Sequence, residues 1–154
     1  SATDSLEGMT RGDSSRLTTE LARLASTLSA REESRFEALP FAVARARVIR
    51  ADDREILLGQ LVRRVPQEAA PVEERTFIIA ERARGGGQYT IEYNQQSSGS
   101  DETTDYFEVL SATRAGDRLL VLLARDRPAQ TTYVVLERSP AGVWRAVWGR
   151  LLAC

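Results

Sequence analysis

The segment Arg118–Arg138, RLLVLLARDRPAQTTYVVLER, constrains the fold of this chain more than any other stretch. It carries two apolar runs, Leu119–Ala124 and Tyr133–Leu136, on either side of Asp126-Arg127-Pro128-Ala129. The first run is too short to cross a membrane as a helix and reads as a strand buried on both faces. The second alternates, with Thr132, Val134 and Leu136 on one face and Thr131, Tyr133 and Val135 on the other. Pro128 has a fixed φ and no N–H, so it stops a helix and suits the turn. The expectation is a central β-hairpin. Its buried side chains, at about 1.5–3 kcal/mol each, form the largest local block of core.

Upstream, the apolar period is helical. Leu6, Met9, Leu17, Leu21, Leu24 and Leu28 recur at steps of three and four or their multiples, which predicts a short helix near 4–10 and a firm one near 15–28, or one fused helix. Asp13-Ser14 can cap a start there. Ser29-Ala30-Arg31-Glu32 has the form of a capping box. A second helix should follow, with Phe36, Leu39, Val43 and Ala46 inward and a kink near Pro40. Asp52-Asp53-Arg54-Glu55 repeats the capping pattern and predicts a third helix, with Ile56, Leu57, Leu61 and Val62, ended by Val65-Pro66. Residues 66–74 read as a connector.

After the connector the period becomes two. Thr76–Ala83 predicts a strand with Phe77 and Ile79 opposite Ile78 and Ala80. Gly85-Gly86-Gly87 predicts a hairpin turn. Tyr89, Ile91 and Tyr93 alternate with Thr90, Glu92 and Asn94, and residues 95–104 read as a polar loop. Asp105–Thr113 and Val143–Leu151 complete the set, the latter with Trp144 and Trp148 on one face. The fold class expected is α+β: about three N-terminal helices, then a roughly six-stranded antiparallel meander. It makes one domain over 1–154, helical over 1–65 and a sheet over 75–152.

Composition narrows the chemistry. The 154 residues contain no His and one Cys, Cys154. These residues alone therefore build neither a Ser-His-Asp nor a Cys-His centre, an intrachain disulfide or a Cys-based metal cluster. No cofactor or metal is expected. All 21 basic residues are Arg, yet the formal net charge is −1, so no global field favours nucleic acid or an anionic membrane. Charge is nevertheless segregated. Residues 65–110 carry three Arg against nine acids and residues 111–154 seven Arg against three. Cross-strand pairing accounts for much of this. The alternative is an acidic ledge around Glu92, Asp101, Glu102, Asp105 and Glu108 that meets a basic partner. Asp101-Glu102-x-x-Asp105 lacks the spaced ligands and glycine of an EF-hand. Arg82-Ala83-Arg84-Gly85-Gly86-Gly87 suits an anion, but no Gly-Lys-Ser/Thr follows and a strand replaces the helix of a P-loop.

Aromatic side chains on a sheet are core in most proteins. With helices on only one face, some must line an interface. Tyr89, Tyr93, Glu102, Asp105, Trp144 and Trp148 are the candidate binding residues on that argument, and no catalytic residue is assigned.

Ser5-Leu6-x-x-Met9, followed by Ser26-Thr27-Leu28-Ser29-x-x-Glu32 and Phe36-Glu37-Ala38-Leu39, resembles the N-terminal helical segment of small uncharacterised bacterial lipoproteins. The likeness covers the first third. It implies an exported protein, periplasmic or anchored at the outer membrane by an N-terminal lipid on a segment preceding Ser1, with the cytoplasm as the alternative. Helices followed by a sheet with a Trp-bearing last strand also resemble the nuclear-transport-factor-2-like cone fold. That resemblance implies a cavity for a small apolar ligand, with Asp105, Glu92 or Tyr106 as acid–base candidates. The function expected first is a non-catalytic module that binds a protein partner, such as an envelope inhibitor or immunity lipoprotein, with homo-oligomerisation also open. Nucleic acid is not an expected partner.

Overall fold

The computed structural model describes residues 3–5, 11–28, 36, 38–66, 71–100, 104–128 and 130–152. Among the described residues one helix, α1 (Arg11–Leu28), is followed by eight long strands. A short strand β1 (Thr3–Ser5) precedes it. The long strands are β2 (Ala42–Ala51), β3 (Arg54–Val65), β4 (Val72–Ala83) and β5 (Thr90–Gly99), then β6 (Tyr106–Ala115), β7 (Arg118–Arg127), β8 (Gln130–Arg138) and β9 (Trp144–Leu152). They form two antiparallel meanders, β2-β3-β4-β5 with β1 added at the β2 edge, and β6-β7-β8-β9. The expected three helices with one six-stranded sheet are therefore wrong. Residues 42–65 are strand where two helices were expected, and the sheet is two sheets.

The error has a physical source. Strand β3 lies between two cores, so its apolar residues run together and lose the alternation that marks a half-buried strand. Ile56 and Leu58 face the second sheet, while Leu57 and Leu61 face α1. The neighbour β2 is mostly Ala and Arg, both good helix formers. Pairing with β3 overrides that preference. Asp52-Asp53, read as a helix cap, is instead the two-residue turn of the β2–β3 hairpin, with Asp52 at φ 55°. Asp suits both roles because its short polar side chain bonds nearby amides and tolerates the left-handed region. The expected helix near 4–10 is also replaced in part: Thr3–Ser5 pair with Arg47–Ile49 of β2. Residues 6–10 and the capping box at 29–32 lie outside the described residues. The polar stretch 95–99 is not loop but the second half of β5.

The remaining strands stand close to the sequence expectation. The central hairpin is β7–β8, with Leu122 opposite Val135 and Ala124 opposite Tyr133. The helix predicted over 15–28 is present and starts four residues earlier, at Arg11.

Three layers result. Between the sheets lies a core of Ile49, Ile56, Leu58, Phe77, Ile79, Phe107, Val109, Leu119, Val121, Leu123, Leu136 and Trp144. On the other side of the first sheet, Leu17, Leu21, Leu24 and Ala25 of α1 pack on Val48, Leu57, Leu61, Ile78 and Ala80. The outer face of the second sheet carries no helix among the described residues. Gly59 lets α1 approach β3: a Cβ there would stand 2.6 Å from Leu21 Cδ2 and 3.2 Å from its Cγ. Leu21 is fully buried and has nowhere to swing. Gly59→Ala should therefore cost about 1–3 kcal/mol by overpacking. The cost should shrink in a Leu21→Ala background, since the two residues share one space. Urea denaturation of the two single variants and the double checks this, and additive effects would contradict it.

Candidate functional site

The candidate residues that are described do not gather in one place. Tyr89 and Tyr93, expected on one face, lie on opposite faces. In the β4–β5 ladder Ile79 pairs with Tyr93 and Ala80 with Ile91, leaving Glu92 as the extra residue of a bulge. A bulge adds one residue and so reverses the alternation beyond it. Tyr89 accordingly sits in the helix-side core, buried, donating its hydroxyl to Glu55 Oε1 at 2.7 Å beneath the Arg82 guanidinium. Burial, helped by the bond to Glu55, drives its pKa up, so it holds its proton and is no base. Tyr93 packs against the inter-sheet core and accepts a bond from Gln95 Nε2 at 2.8 Å.

Trp144 is buried between the sheets and donates Nε1 to Glu81 Oε2 at 2.6 Å. Glu81 of β4 also accepts Nε and Nη2 of Arg138 at 2.8–3.0 Å and Nε of Arg54 at 3.4 Å. Burial alone would raise the Glu81 carboxyl. The bonds from Arg138 and Trp144 outweigh it and hold the pKa below the ordinary value. Trp144 is thus part of a structural cross-link. Trp148 pairs with Val135 through the backbone, beside a β9 bulge at Val147; its side chain and all of Glu102 lie outside the described residues.

Two members of the acidic ledge are neutralised within the chain. Asp105 is ion-paired with Arg127. Glu108 meets Arg45 at 2.5 Å. Glu92 is exposed, and Asp101 lies outside the described residues. The acid–base candidates Asp105, Glu92 and Tyr106 do not converge either. Tyr106 lies under Arg45 and Arg75, and the cavity that Asp105 lines holds about 20 Å3. Among the described residues no group of three or more His, Cys, Asp or Glu is placed to hold a metal ion. No described helix is long and apolar enough to cross a membrane.

What the aromatic argument missed is the outer face of the second sheet. Among the described residues the exposed large apolar side chains are Leu110 (42 %), Val143 (59 %) and Val147 (42 %). All three belong to this sheet or to the turn entering β9. Leu110 and Val147 are the extra residues of bulges on its two edge strands, β6 and β9. Between them Leu120, Leu122, Tyr133 and Val135 alternate with core residues and remain part-exposed. At one end Glu137 accepts from Arg118 Nη1 at 2.5 Å and Arg145 Nη2 at 3.4 Å. Two largely exposed guanidiniums share that one carboxylate. Strand alternation already placed Tyr133 and Val135 on one face of their strand, whereas the register that sets Leu120 and Leu122 beside them comes from the β7–β8 ladder. Which face the helix would cover was not visible.

Comparison of the chain with protein-family models, with curated proteins and with solved structures finds no match.

Glu81 yields a test of the cross-link. Its folded pKa lies below the unfolded value of about 4.3. Its stabilisation is therefore complete above that pH and is lost as pH falls through the folded value. Glu81→Gln should cost about 3 kcal/mol at pH 7, the lower end for breaking a buried pair, because Arg138 keeps contact with water. Denaturant titrations at pH 7 and pH 3 should show the gap between wild type and variant narrowing in acid. A gap that stays constant would refute the role given to the carboxylate.

Proposed function

We propose that this protein is a non-catalytic protein-binding module and that its contact surface is the open outer face of the second sheet. The carrying observation is the collection there of Leu110, Val143 and Val147, flanking Leu120, Leu122, Tyr133 and Val135. Apolar side chains grouped on an uncovered sheet and rimmed by charge have the make-up of an interface rather than of a solvated face. The rim sets the partner's character. Arg118 and Arg145 outnumber Glu137, so the complementary surface is apolar at its centre and acidic at its edge. This reverses the sign expected from the acidic ledge, whose Asp105 and Glu108 are spent on internal pairs.

The non-catalytic reading draws on the lack of His and on the dispersal of Asp105, Glu92 and Tyr106. The lipoprotein-like N-terminal motif supports a place at the bacterial envelope, as an inhibitor or immunity protein.

The test compares baits. Wild-type protein, a Leu110→Asp/Val147→Asp variant and a control Gln96→Asp on β5 are cross-linked in extract of the cells that make the protein. The proposal expects a partner that wild type and control retain and the face variant loses. Retention by all three would sink it. Concentration-dependent sedimentation of wild type, abolished in the face variant, would make the occupant a second copy of the chain.

A further inference from the structure

Helix α1 brings basic groups to the Arg82–Gly87 run that the run alone did not reveal. Between α1 and the end of the β4–β5 hairpin lies a cavity of about 150 Å3. Arg16, Glu20 and Arg23 share one helix face by their spacing and line it from one side. Arg82, Gln88 and Tyr89 line it from the other. Space on this scale takes up a benzene-sized molecule.

Three guanidiniums face one carboxylate in this lining. The helix arginines are held by pairs that exchange readily. Arg16 meets Asp13 at 3.0 Å with both side chains at least half exposed. Arg23 meets Glu20 at 2.5 Å and is itself nearly half exposed. Such solvated pairs hold weakly and yield to a better acceptor. Arg82 is fixed more firmly. Its Nη2 donates to both carboxylate oxygens of Glu55 at 3.2 and 3.3 Å, and its plane lies 4.6 Å from the Tyr89 ring centre. Its buried Nε has no acceptor, a costly state for a charged donor. The field of these groups is felt inside the cavity. Chiefly through the bond from Arg23, and also through the charge of Arg82, the Glu20 carboxyl is held below its ordinary range. Arg84 takes no part, since it donates to the Asp52 carbonyl.

We propose that this cavity binds a small ligand carrying an oxyanion, a carboxylate or a phosphate, held by Arg16 and Arg23 of α1 opposite Arg82. Guanidinium forks match both groups in a bidentate geometry. Leu17 and the Tyr89 ring supply the apolar part of the wall, which suits a compact ligand body. Glu20 is the internal occupant of Arg23, so the ligand and Glu20 compete for that guanidinium. The site lies on the far side of the first sheet from the open face of the second and does not depend on the protein-binding reading.

The test follows the amide resonances of Gly87 and Gln88 while phosphate, benzoate or neutral benzamide is added to the intact chain. Saturable shifts with benzoate alone identify a carboxylate site, with phosphate alone a phosphate site, and with both a general oxyanion site. Glu20→Gln, which removes the competitor, should tighten binding severalfold. Arg16→Gln/Arg23→Gln should weaken it about tenfold or more with thermal melting unchanged, because both side chains are exposed. Three results overturn the proposal: no saturable response to either anion in wild type and Glu20→Gln, an equal response to benzamide, or undiminished affinity in the double arginine variant.

Discussion

A buried carboxylate, Glu81, decides how the two sheets sit on one another. Apolar burial supplies most of the attraction between them but has no direction. Glu81 on β4 supplies the direction: Arg138 of β8 and Trp144 of β9 reach it from the second sheet, and Arg54 of β3 from its own. A second tether lies in mid-core, where Gln60 Oε1 accepts the backbone N–H of Phe107 at 2.9 Å. The same Gln60 donates Nε2 to the carbonyls of Leu61 and Thr76. Those of the bonds that cross between the sheets, to Arg138, Trp144 and Phe107, are satisfied at one relative position of the sheets only. That position determines which side of β7 and β8 is covered and which remains open.

Residues with a single reading were legible in the sequence. The heptad-like leucines of α1 and the Pro-interrupted hairpin of β7–β8 each had one good explanation, as did the clear alternation of Thr76–Ala83. Residues 42–65 had two. Asp52-Asp53 serves a cap as well as a turn, and a strand buried on both faces reads like a buried helix segment. The decisive term there was tertiary. Helix α1 covers one face of β3 and the second sheet the other, and neither partner is local in sequence.

The shared face expected for Tyr89 and Tyr93 is broken for a related reason. Regular alternation puts Tyr89 and Tyr93 on one face, whereas the Glu92 bulge divides them between two cores. Residue type pointed to Trp144 as a contact residue, whereas its N–H serves the buried carboxylate. Bulges that misled the count also create the surface that matters. On β6 and β9 they leave Leu110 and Val147 in solvent, an outcome that period-two counting cannot anticipate. The arginines of α1 were visible at their spacing, but their meeting with Arg82 required knowing which sheet the helix lies against.

Within each sheet every long strand pairs with its neighbour in sequence, and that order has a consequence for a chain that grows from its N-terminus. The first sheet and its helix are complete by Gly99, while Arg138 and Trp144 have not yet been made. At Gly99 Glu81 has Arg54 alone, on its own sheet, and the apolar inner face of Phe77 and Ile79 has nothing yet to lie against. The half-built protein is therefore sticky on the side that later becomes interior. Emergence of β8 and β9 both closes that side and satisfies the carboxylate, so the arrival of these two strands locks the sheets together.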